Sequence, residues 1–187
     1  MKYSAKVPVS FAKRFPNDEI GGVGRPRPTT DVLPRRDHLH RLHRVWVKDP
    51  IYFLTCCTAD RRPVLTSPPA VEIILAAWRD APQFFGWVIG RHVIMPDHVH
   101  FFARATPEAK SLSIFMRDWK KWTAKKICAV TDTPAPIWQP EFFDHVLRSP
   151  RSYSEKWDYV RNNPVRAGLA ATPGAWPFAG EGTDLMW

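Results

Sequence analysis

Two histidines separated by one residue stand in the segment VIMPDHVHFF, Val93 to Phe102, directly after a Pro-Asp pair that favours a turn. Successive side chains of a strand point to opposite faces, so His98 and His100 point the same way if this segment is a strand. Their Cα atoms are then roughly 6–7 Å apart, because a strand rises about 3.3 Å per residue. Both imidazoles could reach one divalent cation, although a pair of this kind is more often structural.

A second set of candidate residues stands in the last helical segment, PRSYSEKWDYVRNN, which Pro164 ends. Its apolar residues fall in one narrow sector at helical spacing and predict the buried stripe, which comprises Tyr153, Trp157 and Val160. Tyr159 and Asn163 are one turn apart on a different sector, which also carries Lys156. Tyr159 could therefore meet a phosphate, the alternative being an ordinary surface tyrosine. Pro164 disfavours helical backbone angles at Asn163, which predicts a slightly distorted turn.

These residue types are suited to phosphoryl transfer. Two neutral imidazoles and one amide oxygen bind a divalent cation without neutralising it, and leave positions open for phosphate oxygens. A tyrosine hydroxyl can then attack the phosphorus and form a phosphotyrosine intermediate. Because free tyrosine has a pKa of about 10, it needs help from the metal, a basic neighbour or another base.

The composition indicates a polyanionic partner. The 187 residues carry a formal net charge of +9, which favours nucleic acid or an acidic membrane surface over a neutral ligand, unless the protein is simply basic. The three cysteines, Cys56, Cys57 and Cys128, have no C-x-x-C spacing, so neither a disulfide framework nor a zinc ribbon is predicted. The sequence has no apolar run of membrane length and no signal-peptide pattern, and a cytoplasmic protein is expected.

The basic residues cluster on the segment AKSLSIFMRDWKKWTAKKIC, which has apolar residues at helical spacing on its other side. Lysine-rich helix faces are most often simply solvated, and phosphate contact is the second interpretation. Arg151, near the start of the last helix, and Lys156, on the sector of Tyr159, could add phosphate contacts. The residues predicted to bind DNA are Arg117, Lys120, Lys121, Lys125, Arg151 and Lys156.

The chain divides into three parts by composition. Residues 1–45 form a Gly-, Pro- and Arg-rich arm with ten Lys or Arg against four Asp or Glu, which could touch a phosphate backbone or be a solvated extension. The arm's histidines, His38, His40 and His43, have no carboxylate or thiolate cluster beside them and do not predict a metal site. Residues 46–171 form the predicted domain, and residues 172–187 a Pro- and Gly-rich irregular tail.

Within residues 46–171 the predicted order is strand, helix, strand, strand, helix, strand, helix. The first helix starts after Ser67, a potential cap, and is predicted to end near Asp80. The middle strands join through the short MPD connection and predict a hairpin. This order predicts an α+β fold, a ferredoxin-like antiparallel sheet with helices on one face.

The motifs MPDHVHFF and DYVRNNPVRAGL resemble those of the single-tyrosine HUH transposases of insertion sequences. The segments FFGWVIGRHVIMPDHVHFFARA, LSIFMRDWKKWTAKKI and IWQPEFFDHVLRSPRSYSEKWDYVRNNPVRAGL are more similar to the REP-associated tyrosine transposases. The resemblance covers about residues 45 to 170. It implies a nuclease that cuts single-stranded DNA beside a hairpin, such as a repetitive extragenic palindrome, with Mg²⁺ or Mn²⁺. It also implies a nucleoid-associated monomer or homodimer.

Carried over to this sequence, the resemblance makes His98 and His100 the HUH pair, Tyr159 the nucleophile and Asn163 the third metal ligand. Insertion-sequence enzymes usually have Gln where Asn163 stands, and Asn is also usual where this chain has Asp97. That carboxylate could orient a histidine or simply cap the turn. His145 also matches the family, and a structural role is favoured for it over a catalytic one.

Two alternatives to a strand-transfer enzyme follow from the same residues. The first is a DNA- or RNA-binding regulator that keeps the fold without turnover. The second is a metal-dependent phosphodiesterase that uses water, with Tyr159 as a bystander. Tyr153 is the backup nucleophile, although its place on the apolar stripe argues against that role.

Overall fold

The computed structural model describes residues 49–185 of the 187. The helices and strands in chain order are β1 (Ile51–Cys57), α1 (Pro68–Phe85), β2 (Trp87–Met95), β3 (His98–Ala105), α2 (Leu112–Thr131), β4 (Phe143–Leu147), α3 (Pro150–Arg161), α4 (Asn163–Arg166) and β5 (Ala179–Gly180), with single 3₁₀ turns at Ala59–Arg61 and Pro173–Ala175. Between residues 49 and 185, no helix combines the length and the apolar character that crossing a membrane requires.

The strands form one five-stranded sheet in the order β4-β1-β3-β2-β5, and every neighbouring pair is antiparallel. β2 and β3 form the predicted hairpin, with Pro96 and Asp97 between them. The three interior strands, β1, β3 and β2, therefore have a hydrogen-bonded partner on each side. The predicted ferredoxin-like α+β fold is confirmed, with β5 as an additional edge strand.

The helices α1 and α2 cover one face of the sheet. Pro68 begins α1, and Ser111 caps α2 by accepting a hydrogen bond from the Ile114 N–H. Alternate residues of the central strands point toward these helices. Phe101 of β3 packs with Trp119 of α2, their ring centres 5.8 Å apart, inside the larger hydrophobic cluster.

The opposite face of the sheet is covered by α3. Phe102, the neighbour of Phe101 along β3, points the other way, and its ring centre lies 4.8 Å from that of Tyr153 in α3. Trp157 and Val160 join the same smaller cluster, so the predicted apolar stripe is the buried one. The prediction that helices lie on one face thus holds for α1 and α2 and is wrong for α3. The order of elements could not predict the face on which α3 lies, because α3 follows the last of the four predicted strands and does not connect two strands of the sheet.

The first helix is longer than predicted. It continues past Asp80 to Phe85 with Pro82 inside it, and ends at Gly86, which has a φ of +72°. Pro82 lies in the last turn, so the helix loses few hydrogen bonds to it. A Cβ at position 86 would lie 2.6 Å from the Cα of Ala109, which leaves room only for glycine.

The segment after residue 171 is not wholly irregular. Ala179–Gly180 pairs with β2, and the Trp176 indole donates a hydrogen bond to the Ile94 carbonyl at 3.0 Å. Leu185 is buried in the cluster beneath α3. The aromatic and apolar residues among the Pro and Gly residues therefore attach this segment to the sheet, and the domain boundary at residue 171 stays a prediction. The N-terminal arm of residues 1–45 lies outside the described residues.

Candidate active site

The two histidines of β3 share the face of the sheet that α3 covers, as their alternation predicts. Across the sheet, His100 is paired with Thr55 of β1 and His98 with Cys57. The imidazole centres are 4.7 Å apart and their planes meet at 81°. Rings this close and this differently oriented can direct one nitrogen each toward a common point.

His98 is oriented by a charged pair. Its Nδ1 lies 2.6 Å from Oδ1 of Asp97, and the other carboxylate oxygen, Oδ2, lies 2.9 Å from Nε of Arg61. Burial opposes ionisation of Asp97, but the hydrogen bond and positive charge of His98, together with the charge of Arg61, outweigh it and lower the pKa. An ionised carboxylate can only accept, so Nδ1 of His98 carries the proton and Nε2 is left for a ligand.

His100 is held by β1. Its Nδ1 lies 2.8 Å from the Thr55 hydroxyl, and its ring stacks on Phe53 with the centres 5.4 Å apart. The side chain is only 8% exposed. Burial, followed by the positive charges of His98, Arg61 and Lys156, holds the pKa of His100 well below 6.5. Near neutral pH His100 is therefore uncharged, the form in which an imidazole binds metal.

The pair fits a divalent cation as two nitrogen ligands. Each Nδ1 has a partner on the protein, which is how ligating histidines are usually oriented, and each Nε2 is available. No group of three His, Cys, Asp or Glu side chains arranged to hold a metal occurs within residues 49–185. Within residues 49–185 a third ligand would therefore come from another kind of group, such as an amide or a backbone oxygen. A site with two imidazoles keeps positions open for substrate.

Tyr159 projects from α3 outside the buried stripe, as predicted, with 41% of the residue exposed. Two cations flank its ring: Nζ of Lys156 lies 5.8 Å and Cζ of Arg166 4.5 Å from its centre. Lys156 also lies 5.2 Å from the centre of Phe53, the ring on which His100 stacks. Through Lys156 the exposed tyrosine and the histidine pair thus border the same part of the sheet face.

Asn163 is separated from Tyr159 by a break in the helix. α3 ends at Arg161, Asn162 caps it, and Asn163 is the first residue of α4. The distortion expected from Pro164 is therefore present, since proline has no N–H to continue the hydrogen-bond ladder. The Asn163 side chain is half-buried and makes no hydrogen bond in the part of the chain that the structure describes. Its predicted role as third ligand stays a prediction.

The residues predicted to bind DNA fall on both sides of the sheet. Arg117, Lys121 and Lys125 are exposed on α2, across the sheet from the histidines. Lys120 instead donates hydrogen bonds to the Gln139 and Pro140 carbonyls, at 3.1 and 2.6 Å, and so fastens the loop before β4. Arg151 is exposed on α3 and pairs with Glu155 at 2.7 Å. A pair so exposed contributes little to stability and can exchange for a phosphate contact.

Three residues of this site were not found from the sequence. Thr55 faces His100 only because of the β1–β3 register, which no local pattern encodes. Arg61 reaches Asp97 from a 3₁₀ turn in which Asp60 and Arg61 have φ values of +53° and +55°. Arg166 approaches Tyr159 because the chain turns at Asn162. The only sequence signal for any of them was the position of Arg166 in the conspicuous segment VRAGL.

His145 lies on β4, directly across from Phe53 on the same face of the sheet as the histidine pair. Its side chain is exposed, so it is not a core residue. Desolvation and the positive charges of Lys156 and Arg148 lower its pKa. The preference for a structural role therefore loses its main support, and His145 is available to a ligand on this face.

Comparison with known proteins gives one consistent result. The family model described as Transposase IS200 like matches residues 46–162. A REP-associated tyrosine transposase of Escherichia coli strain K12 is 27% identical over 139 residues, covering 73% of this chain and 79% of that protein. A putative REP-associated tyrosine transposase of Haemophilus influenzae is 22% identical over 152 residues, covering 76% and 85%. A solved structure of a REP-associated tyrosine transposase bound to a REP hairpin has a TM-score of 0.60 at 26% identity, covering 73% of this chain and 79% of that one.

Proposed function

Because the chain belongs to the IS200-like transposase family, we propose that it is a metal-dependent nuclease and strand transferase that forms a covalent link to single-stranded DNA. The resemblance inferred from the motifs is thereby confirmed, and the chemistry is our proposal. One observation supports it most directly: two imidazoles, each oriented through Nδ1, lie on the sheet face that carries an exposed tyrosine flanked by two cations.

The proposed substrate is a DNA hairpin with a single-stranded flank. A relative with a TM-score of 0.60 is bound to a REP hairpin. The cations on the site face of this chain suit a phosphate backbone; they are the exposed Arg151 and Arg166 and the half-buried Lys156. Contacts to phosphates position the DNA strand. Sequence specificity comes instead from side chains that hydrogen-bond to the edges of the bases.

A Mg²⁺ or Mn²⁺ ion would be held by Nε2 of His98 and Nε2 of His100, with Asn163 as the proposed third ligand. When bound, the ion supplies positive charge that polarises the scissile phosphate. The protein's own contribution is to fix the orientation of both ligands. Thr55 and Asp97 do this by binding the Nδ1 atoms.

Tyr159 is the proposed nucleophile. Its hydroxyl oxygen attacks the phosphorus and its proton passes to solvent as the new bond forms. The bond to the 3′ oxygen breaks, and that oxygen takes up a proton from solvent to give a free 3′-hydroxyl. The 5′ phosphate stays on the tyrosine, which conserves the bond energy for rejoining. Lys156 and Arg166 beside the ring attract the phosphate to this side chain.

Incubation with hairpin DNA and Mn²⁺ distinguishes this proposal from its two alternatives. A band of covalent protein–DNA adduct on a denaturing gel supports strand transfer. Cleavage without adduct would identify a phosphodiesterase that uses water, and binding without cleavage would identify a regulator. The adduct should be lost in Tyr159→Phe. Tyr153→Phe is the matched control, because Tyr153 lies about 1.7 turns earlier on the same helix but packs on Phe102.

A further inference from the structure

A cleft opens between α1 and α2, on the side of the sheet away from the histidine pair. Its volume is about 280 Å³, close to the smaller ligand pockets of proteins. The residues that line it are Ala77, Asp80, Phe84, Phe85, Lys110, Trp119 and Trp122. Four of these seven are aromatic, so flat rings form most of the wall.

Two of the aromatic side chains are exposed to a degree that core packing does not explain. Phe84 is 58% and Trp122 38% exposed. Phe84 stands at the end of α1 and Trp122 in the middle of α2, so they lie on different helices around one cleft. Rings facing a cleft from two helices can stack on a flat ligand.

Positive charge surrounds the same cleft. Nζ of Lys126 lies 4.4 Å from the centre of the Trp122 ring, and Nζ of Lys110 lies 5.1 Å from that of Phe85. Lys125 is exposed on the adjoining surface of α2. Asp80 contributes a carboxylate to the wall, which disfavours a phosphate deep inside and can accept a hydrogen bond from an amino group on a base.

We propose that this cleft binds an unpaired nucleobase of the DNA strand, with the base between Phe84 and Trp122 and its phosphates at Lys110, Lys125 and Lys126. Aromatic stacking platforms with cations along them are how proteins hold single-stranded nucleic acid. The proposal rests on the proposed function for the identity of the strand. It adds a second contact, on the opposite face of the sheet from the scissile phosphate.

The placement explains why the basic residues of α2 lie so far from the histidines. A strand that reaches both places must pass around the edge of the sheet. The bound base is therefore several nucleotides away from the cleavage position, and a short single-stranded extension would not reach the cleft.

Fluorescence anisotropy with a series of labelled DNAs tests this. The wild type is titrated with a bare hairpin and with the same hairpin carrying extensions of increasing length. We expect the affinity of the wild type to rise at least about fivefold once the extension is long enough to reach the cleft. The double variant, which combines Phe84→Ala and Trp122→Ala, should lose this gain. Trp122→Phe should restore part of it, because it restores a ring. Val130→Ala, at an exposed apolar position of the same helix outside the cleft, is the matched control.

Binding of the bare hairpin and adduct formation should be unchanged in the double variant. The inference would be overturned if the double variant gained as much affinity from the extension as the wild type does. It would also be overturned if the only effect of the substitutions were the loss of a protein dimer. If the wild type ignores the hairpin but binds an unstructured oligonucleotide through Phe84 and Trp122, the proposed function is wrong and the cleft assignment stands.

Discussion

Nδ1 of His98 lies 2.6 Å from a carboxylate oxygen of the preceding residue, Asp97. The backbone around this pair is also fixed, because the Asp97 carbonyl accepts hydrogen bonds from the N–H and the hydroxyl of Thr58, at 2.9 and 3.0 Å. The carboxylate therefore cannot easily move away from the imidazole. Of the two roles open to Asp97 from the sequence, the geometry favours orienting the histidine.

Asp97→Ala is expected to weaken Mn²⁺ binding by about 10- to 100-fold, the usual effect of removing a group that orients a ligating histidine. Asp97→Asn should retain most of the affinity, since its amide oxygen can still accept from Nδ1. Titration of Mn²⁺ by electron paramagnetic resonance measures this without DNA. Equal losses in the two variants would show that Asp97 acts through its charge alone.

Arg61 is expected to affect metal binding mainly through Asp97. Arg61→Met should weaken Mn²⁺ binding in the wild type but add little in an Asp97→Ala background, because the two side chains form one unit with a 2.9 Å ion pair. Arg91→Met is a suitable control, since Arg91 of β2 forms its ion pair with Glu181, at 3.1 Å, and not with Asp97. Additive effects of the Arg61 and Asp97 substitutions would contradict the coupling.

The buried His100 predicts a pH-dependent stability for the metal-free protein. In the unfolded chain its pKa is near 6.5, whereas burial keeps the pKa in the folded state well below that value. Below about pH 6.5 the unfolded state binds more protons, so the free energy of unfolding falls, by at most about 1.4 kcal/mol per pH unit from this residue. Urea unfolding in EDTA should show a smaller fall for His100→Gln. An identical pH dependence in both proteins would mean that His100 is not buried as described.

The packing of α3 predicts effects of very different size on stability for two neighbouring substitutions. Val160 is fully buried beneath the helix, so Val160→Ala should lower the free energy of unfolding by about 1–3 kcal/mol. Tyr159→Phe removes only an exposed hydroxyl and should change it by less than about 0.5 kcal/mol. Thermal or urea unfolding compares the two. A large loss from Tyr159→Phe would mean that its effect on activity could be structural.

Local patterns in the sequence were sufficient to predict the relative orientation of site residues that lie on the same strand or helix. Alternation along β3 placed His98 and His100 on one face, and helical spacing separated Tyr159 from the buried stripe of α3. Both results depend only on the period of a strand or a helix. The fold class followed because the order of strands and helices permits few arrangements.

The supporting residues could not be predicted, because they depend on contacts between distant segments. Thr55 meets His100 through strand register, and Arg61 meets Asp97 through a turn with two left-handed residues. Lys120 is a further example. Its charge predicted a contact with DNA, whereas its ammonium group donates a hydrogen bond to the backbone carbonyl of Gln139, 19 residues later in the chain. The side of the sheet taken by α3 is likewise a matter of tertiary packing.

The central claim is that Tyr159 becomes covalently linked to DNA, and trypsin offers a direct measurement. Cleavage after Arg151, Lys156 and Arg161 places Tyr153 in the peptide SYSEK and Tyr159 in WDYVR. After reaction with hairpin DNA and Mn²⁺ and digestion of the DNA, mass spectrometry should find the nucleotide adduct on WDYVR, and Tyr159→Phe should yield none. An adduct on SYSEK, or one that persists in Tyr159→Phe, would contradict the mechanism.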